Sequence, residues 1–147
     1  MGRSVVAVIV GYISMFVLNF LAFVGLYAVV GPAHAFKPGL YLASNRWIAM
    51  SVVAIFITGV VAGLICVAIA RGGKAPLGLA IVILVVGLVL GIPAVMKAQA
   101  NEHLVRVGSV PSMEAAQKAY WPIWAPFVFP FISAAGALVG ARLRRRS

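Results

Sequence analysis

The chain alternates between long stretches that contain no charged residue and shorter segments that hold its charges. A helix needs roughly 20 apolar residues to cross the ~30 Å hydrocarbon core of a bilayer. Four uncharged stretches reach that length, and they cover residues 4–30, 47–70, 75–96 and 119–141. The pattern therefore predicts an all-α integral membrane protein with four transmembrane helices in a single domain, residues 1–147.

The composition agrees with lipid as the surrounding solvent. Apolar residues make up 64% of the chain and charged residues 10%, whereas a soluble domain has about 25% charged residues. A net charge of +10 would point to nucleic acid in a soluble protein. Here the basic residues lie between and beyond the apolar stretches, so we expect no nucleic-acid partner. Abundant Ala, Gly and Val, with more Arg than Lys, favour a bacterial inner-membrane protein.

The first apolar stretch has an alternative interpretation as a secretory signal. Arg3 precedes it, and Ala33-His34-Ala35 resembles a cleavage site. The apolar part of a signal peptide is about 7–15 residues long, and this stretch is nearly twice that. We therefore expect it to remain as the first membrane span.

The distribution of basic residues predicts the orientation, because cytoplasmic loops are enriched in Lys and Arg. If both termini are inside, three very short inner segments hold seven basic residues: Arg3, Arg71, Lys74, Arg142, Arg144, Arg145 and Arg146. The longer outer loops, 31–46 and 97–118, hold five basic and both acidic residues. Interfacial aromatics anchor spans at headgroup level, and the three Trp residues lie at the outer boundary. The sequence thus predicts two antiparallel helical hairpins, N-in and C-in.

Loop lengths add two expectations. The turn 71–74 is short, so the second and third spans should be antiparallel neighbours. In the longer outer loop, Ser112 is placed to cap a short helix with Glu114 in its first turn, where the helix dipole favours an acid. We expect that helix to run directly into the fourth span.

Small residues four positions apart allow close approach of membrane helices. Three spans contain such pairs: Gly59 and Gly63, Gly87 and Gly91, and Gly136 and Gly140. We interpret these pairs mainly as packing within the chain's own four-helix bundle, and a partner interface is the alternative.

Prolines follow the same four-residue spacing in the fourth span, at Pro122, Pro126 and Pro130. Each interior proline removes a backbone hydrogen bond, which predicts a bend in the outer half of that helix. The bend is either a fixed kink or a hinge beside a ligand site.

No Asp, Glu, Lys, Arg or His lies within the predicted spans, which argues against proton relays and ion paths. Asn19 is the most polar side chain at depth, and Tyr12 lies seven residues earlier on the same helical face. Both, with Ser51 and Thr58, are candidates for helix packing or for lining a ligand site. Cys66, the only cysteine, is expected to be a small apolar filler.

The C-terminal segment is a second candidate site. Basic residues near a membrane surface attract anionic headgroups by about 1 kcal/mol each. We therefore expect anionic membrane lipids to bind the arginines there, which are Arg142, Arg144, Arg145 and Arg146.

These features lead to two functional hypotheses. The first is a non-catalytic accessory or scaffolding subunit of a larger bacterial inner-membrane complex, partnered by other membrane subunits or by copies of itself. It predicts small residues turned outward to a partner. The alternative is a small homo-oligomeric transporter or channel for a neutral or lipidic solute, which predicts polar faces converging on a cavity. An enzyme would need the loop residues His34, His103, Glu102 and Glu114 to converge, so we expect no catalysis, cofactor or metal.

Overall fold

The computed structural model describes residues 2–71 and 73–146. They form six helices: α1 (Gly2–Val30), α2 (Pro32–Ala35), α3 (Asn45–Ala70), α4 (Ala75–Asn101), α5 (Ser112–Lys118) and α6 (Ala125–Arg146). Of these, α1, α3, α4 and α6 are long and apolar enough to cross a membrane. This confirms the prediction of an all-helical protein with four helices of spanning length. The third of them continues to Asn101, beyond the predicted end at residue 96.

The predicted start of the fourth span, residue 119, is wrong. Helix α5 forms and has Glu114 in its first turn, but Pro111 occupies the N-cap position and Ser112 is the first helical residue. The chain then leaves the helix at Ala119 (φ −58°, ψ 139°) and resumes it only at Ala125. In between, Tyr120 pairs in parallel with Leu42 from the other long loop. This pairing needs an extended backbone, and it takes the place of a continuous helix.

The displaced start of α6 changes the role of its prolines. Pro122 precedes the helix, and Pro126 lies in the first turn, where a missing N–H removes no helical hydrogen bond. Of the three, only Pro130 lies in the helix interior. Of the three prolines, Pro130 alone is therefore placed to cause the expected bend in this helix.

The four long helices pack unequally. The largest interface joins α3 and α6, and the next two join α1 to α3 and α4 to α6. Contacts between α3 and α4 are far fewer, although the short turn after Arg71 connects them. The antiparallel pairing expected for these two helices stays a prediction. The turn holds their ends together, whereas glycines on α3 and α6 allow those two helices to approach most closely.

The two long loops fold onto each other and form a cap at one end of the molecule, which we define as residues 31–44 and 102–124. Isolated β-bridges join Phe36 to Ala43, Leu40 to Val105 and Leu42 to Tyr120. The Ala43 N–H donates to the Tyr120 carbonyl at 3.1 Å, and the Tyr120 N–H donates to the Tyr41 carbonyl at 3.1 Å. The cap has its own apolar cluster, which includes Phe36, Tyr41 and Trp47.

Candidate functional site

A crevice lies between α1 and α4. It consists of two adjoining cavities that share Phe23, Ala94 and Trp121. The deep cavity, about 310 Å³, lies among α1, α4 and α6 near the middle of the helices. The cap-side cavity, about 410 Å³, lies beneath α5 and the segment that follows it. Both volumes fall within the range of small-molecule sites, roughly 300–1,000 Å³.

Helices α1 and α4 approach closely near the end opposite the cap. There, a Cβ built on Gly11 would lie 3.2 Å from Leu79 Cδ2, and one on Gly78 would lie 3.5 Å from Val8 Cγ2. Ala7 and Leu79 are completely buried in this region. Towards the cap, residues of both α1 and α4 line the two cavities.

The crevice opens sideways, onto the apolar surface of the molecule. Two α1 residues on its wall, Phe20 and Val24, are 64% and 50% exposed, and Leu90 of α4 is 57% exposed. These side chains belong to helices of membrane-spanning length. A molecule in the crevice would therefore enter from the hydrocarbon layer.

Aromatic side chains form the wall between the deep part and the cap. Phe23 of α1 lies 6.1 Å from the Trp47 ring and 6.2 Å from the Trp121 ring, measured between centroids. Trp47 is held in place because the Ser44 hydroxyl caps α3 and accepts its backbone N–H at 3.1 Å. Tyr27 packs edge-on against Trp47 and donates its hydroxyl to the Val110 carbonyl at 3.2 Å. These contacts give the crevice rigid, apolar sides.

Asn19 is the main polar group of the deep cavity. The Thr58 hydroxyl of α3 lies 2.8 Å from Asn19 Oδ1 and 3.0 Å from the Ile55 carbonyl oxygen, and its single hydrogen can be donated to either. Among the described residues, the Asn19 amide nitrogen has no hydrogen-bond partner. Tyr12, seven residues away, lines the same cavity. The arrangement leaves an amide donor beside a largely apolar space.

Lys97 supplies the positive charge of the cap-side cavity. It lies one turn after Pro93 on α4, and its ammonium group donates to the Ala116 carbonyl of α5 at 2.8 Å. The rest of that wall is mainly apolar: Ala115, Ala116, Ala119 and aromatic rings. The lining of the cap-side cavity therefore carries one positive charge.

The structure separates the predicted site residues into two groups. One group lines the deep cavity: Tyr12, Asn19, Gly87, Gly91, Pro126 and Pro130. The other lies away from it: Thr58 contacts Asn19 from α3, Ser51 is buried and donates to the Trp47 carbonyl at 2.7 Å, and four glycines face the α3–α6 interface. Those glycines are Gly59, Gly63, Gly136 and Gly140, where an added Cβ would collide with backbone of the opposite helix.

Sequence reasoning missed Lys97, Phe23 and Trp47 as site residues. Lys97 was counted only as a loop charge, because the third span was expected to end at residue 96. The sequence did offer one signal for this site, which was the positive charge of Lys97 within one helical turn of Ala94. Phe23 lies four residues after Asn19, on the same side of α1, but resembled any other apolar residue of that span.

The predicted headgroup site lies at the end opposite the cap. Arg142 of α6 and Lys74, just before α4, line a third cavity of about 240 Å³. Arg144 is exposed on α6. The side chains of Arg145 and Arg146 lie outside the described residues, so the prediction for them is not addressed.

The cap contains a separate ionic network. Glu114 Oε1 accepts the Lys118 ammonium at 2.7 Å and the Tyr41 hydroxyl at 3.1 Å. Hydrogen bonds from Lys118 and then Tyr41 lower the pKa of Glu114, and the bond to Glu114 raises the pKa of Lys118. Glu102 lies 3.4 Å from His103 Nε2. Within residues 2–71 and 73–146, no group of three or more His, Cys, Asp or Glu side chains is positioned to hold a metal.

Comparison with known proteins found no match to the chain among protein families, curated proteins or solved structures.

Proposed function

We propose that the protein is a non-catalytic membrane protein that holds a lipidic molecule in the crevice between α1 and α4. The observation that carries this proposal is the pair of adjoining apolar cavities that opens sideways between two helices of spanning length. An apolar cavity that faces hydrocarbon favours an apolar chain as its occupant. The Asn19 amide and the Lys97 ammonium offer polar contacts at two depths.

This proposal is nearest to the second hypothesis, a protein that handles a lipidic solute. The glycine pairs Gly59–Gly63 and Gly136–Gly140 pack within the chain, so they do not support a partner interface. Below the deep cavity, α1, α3 and α4 close around Ala7, Ala62 and Leu79, which are fully buried. The geometry supports binding from one leaflet more than conduction across the membrane.

We also propose that both termini face the cytoplasm of a bacterial cell and that the cap lies outside the inner membrane. The support is the excess of Lys and Arg in short segments at the end opposite the cap. In this orientation the crevice opens to the outer leaflet.

The proposal is tested by purifying the protein gently from native membranes and identifying the lipids that remain bound. Ala94→Phe fills the point where the two cavities meet, and Ala28→Phe adds the same ring at an exposed position of α1. We expect a stoichiometric lipidic molecule with the wild type and with Ala28→Phe, and its loss with Ala94→Phe. Equal retention by both variants would place the lipid elsewhere.

An accessory role is the second candidate, and the cap supports it. Val105 and Val107 are 72% and 85% exposed, although they lie outside the membrane-spanning helices. Exposed apolar side chains in such a place favour contact with another protein. The same preparation distinguishes the two roles, because a stoichiometric protein partner without a bound lipid would favour the accessory subunit.

A further inference from the structure

Within residues 2–71 and 73–146, the ammonium group of Lys97 has no carboxylate partner. It is half-buried in the wall of the cap-side cavity, where the Ala116 carbonyl is its hydrogen-bond acceptor. A carbonyl dipole satisfies one of the three ammonium hydrogens and leaves the charge uncompensated. A charge in low-polarity surroundings is stabilised strongly by an opposite charge.

The chain itself cannot supply that opposite charge through a side chain. It contains two acidic residues in total. Glu114 is bound by Lys118 and Tyr41, and Glu102 lies beside His103 on the exposed surface. An anionic ligand in the cap-side cavity would supply an opposite charge that the side chains of this chain do not place there.

We propose that the crevice binds an anionic phospholipid, with the headgroup phosphate against Lys97 and one acyl chain extending towards Asn19. This inference rests on the proposed function and adds the chemical class of the ligand. The positions agree with such a molecule, since Lys97 lies at the cap end of the crevice and the apolar deep cavity continues from it through Ala94. The site is separate from the basic residues Lys74 and Arg142 at the other end.

The test uses tryptophan fluorescence, because two of the three tryptophans line the cap-side cavity. With Trp124→Phe as the background, the remaining reporters are Trp47 and Trp121. Full-length protein in detergent is titrated with phosphatidylglycerol or phosphatidylcholine, each with brominated acyl chains that quench tryptophan on contact. Lipid bound at Lys74 and Arg142 does not contact these reporters, so the signal is local to the crevice.

We expect phosphatidylglycerol to bind about fivefold more tightly than phosphatidylcholine, the preference that one cation near a headgroup provides. Lys97→Met should remove this preference and still allow both lipids to quench. Lys97→Arg keeps the positive charge and should therefore keep the preference for phosphatidylglycerol. Lys37→Met, at an exposed lysine of the cap, should leave it unchanged.

Other outcomes separate the two proposals. Equal binding of both lipids by the wild type, or a preference that survives Lys97→Met, would overturn the anionic ligand while leaving the crevice as a lipid site. No saturable quenching by either lipid would overturn the proposed function itself. Inorganic phosphate, added at constant ionic strength, should not compete; complete displacement of phosphatidylglycerol would show that the site takes the free ion.

Discussion

At the scale of single residues, Glu114 connects the two loops of the cap through one carboxylate oxygen. It holds Lys118 on its own helix and Tyr41 from the other loop. Lys118 also lies 5.5 Å from the centroid of the Tyr41 ring. Loss of the negative charge would weaken all these contacts together.

This network predicts a specific dependence of stability on pH. Because the folded state lowers the pKa of Glu114, the stabilisation is present above the ordinary carboxyl pKa, about 4.3. It is lost as the pH falls through the lowered value. The raised pKa of Lys118 keeps the stabilisation intact until the pH exceeds about 10.4.

The measurement is the melting temperature between pH 3 and pH 7. We expect the wild type to lose stability at the acid end and Glu114→Gln to be lower but flatter across the range. Glu102→Gln is the matched control and should behave as the wild type. A wild-type curve identical to that of Glu114→Gln would contradict the role of this carboxylate.

Asn19 and Thr58 offer a second prediction at this scale. Hydrogen bonds between membrane helices contribute about 0.6 kcal/mol on average and at most about 1.7 kcal/mol. We expect Asn19→Ala to lower the free energy of unfolding by about 1 kcal/mol, since Thr58 retains the Ile55 carbonyl as an acceptor. A double-mutant cycle with Thr58→Val, measured by unfolding in mixed micelles, should show coupling. Strictly additive effects would mean that the Asn19–Thr58 contact contributes nothing.

At the scale of elements, the α3–α6 interface depends on backbone touching backbone. A Cβ on Gly63 would collide with the Ala137 carbonyl oxygen, and one on Gly140 with the Val60 carbonyl oxygen. Neither carbonyl is a flexible side chain that could move aside. The two helices can keep this distance only with glycine at these positions.

Gly63→Leu should therefore lower the free energy of unfolding by about 3 kcal/mol, the upper part of the usual cost of overpacking. Gly25→Leu is the control, because a Cβ at Gly25 has no atom within 4 Å. Thermal unfolding of both variants checks the expectation. Leucine favours a helix more than glycine does, so Gly25→Leu should cost no stability. Similar losses for the two variants would show that the α3–α6 interface does not determine the effect.

Some of these elements can be predicted from the sequence, and others depend on contacts between distant parts of the chain. The length of a stretch without charged residues predicts a helix of spanning length, because this length depends only on residues that are neighbours in the sequence. The interruption at 119–124 depends on Tyr120 pairing with Leu42, a contact between distant parts of the chain that apolar composition does not reveal. The crevice was missed for the same reason. The common face of Tyr12 and Asn19 follows from helical periodicity, but only the packing of α1 against α4 shows what that face encloses.

At the scale of the whole molecule, the proposed orientation places the cap outside and the N-terminus inside. It is tested by cysteine labelling of intact cells, with Cys66→Ser as the background because Cys66 is the only cysteine. A membrane-impermeant maleimide should label Met113→Cys, which is 72% exposed in the cap. Gly2→Cys should be labelled only after the membrane is permeabilised. The opposite pattern would invert the topology.

The β-bridge between Leu42 and Tyr120 has a consequence for biosynthesis. A chain is made from its N-terminus, so α1, α3 and α4 are complete before Tyr120 leaves the ribosome. Until then the bridge between Leu42 and Tyr120 is absent, and the cap-side cavity lacks the part of its wall that Tyr120 and Trp121 form. The proposed lipid site is thus completed last, and a polypeptide truncated before Tyr120 would contain three helices of spanning length without it.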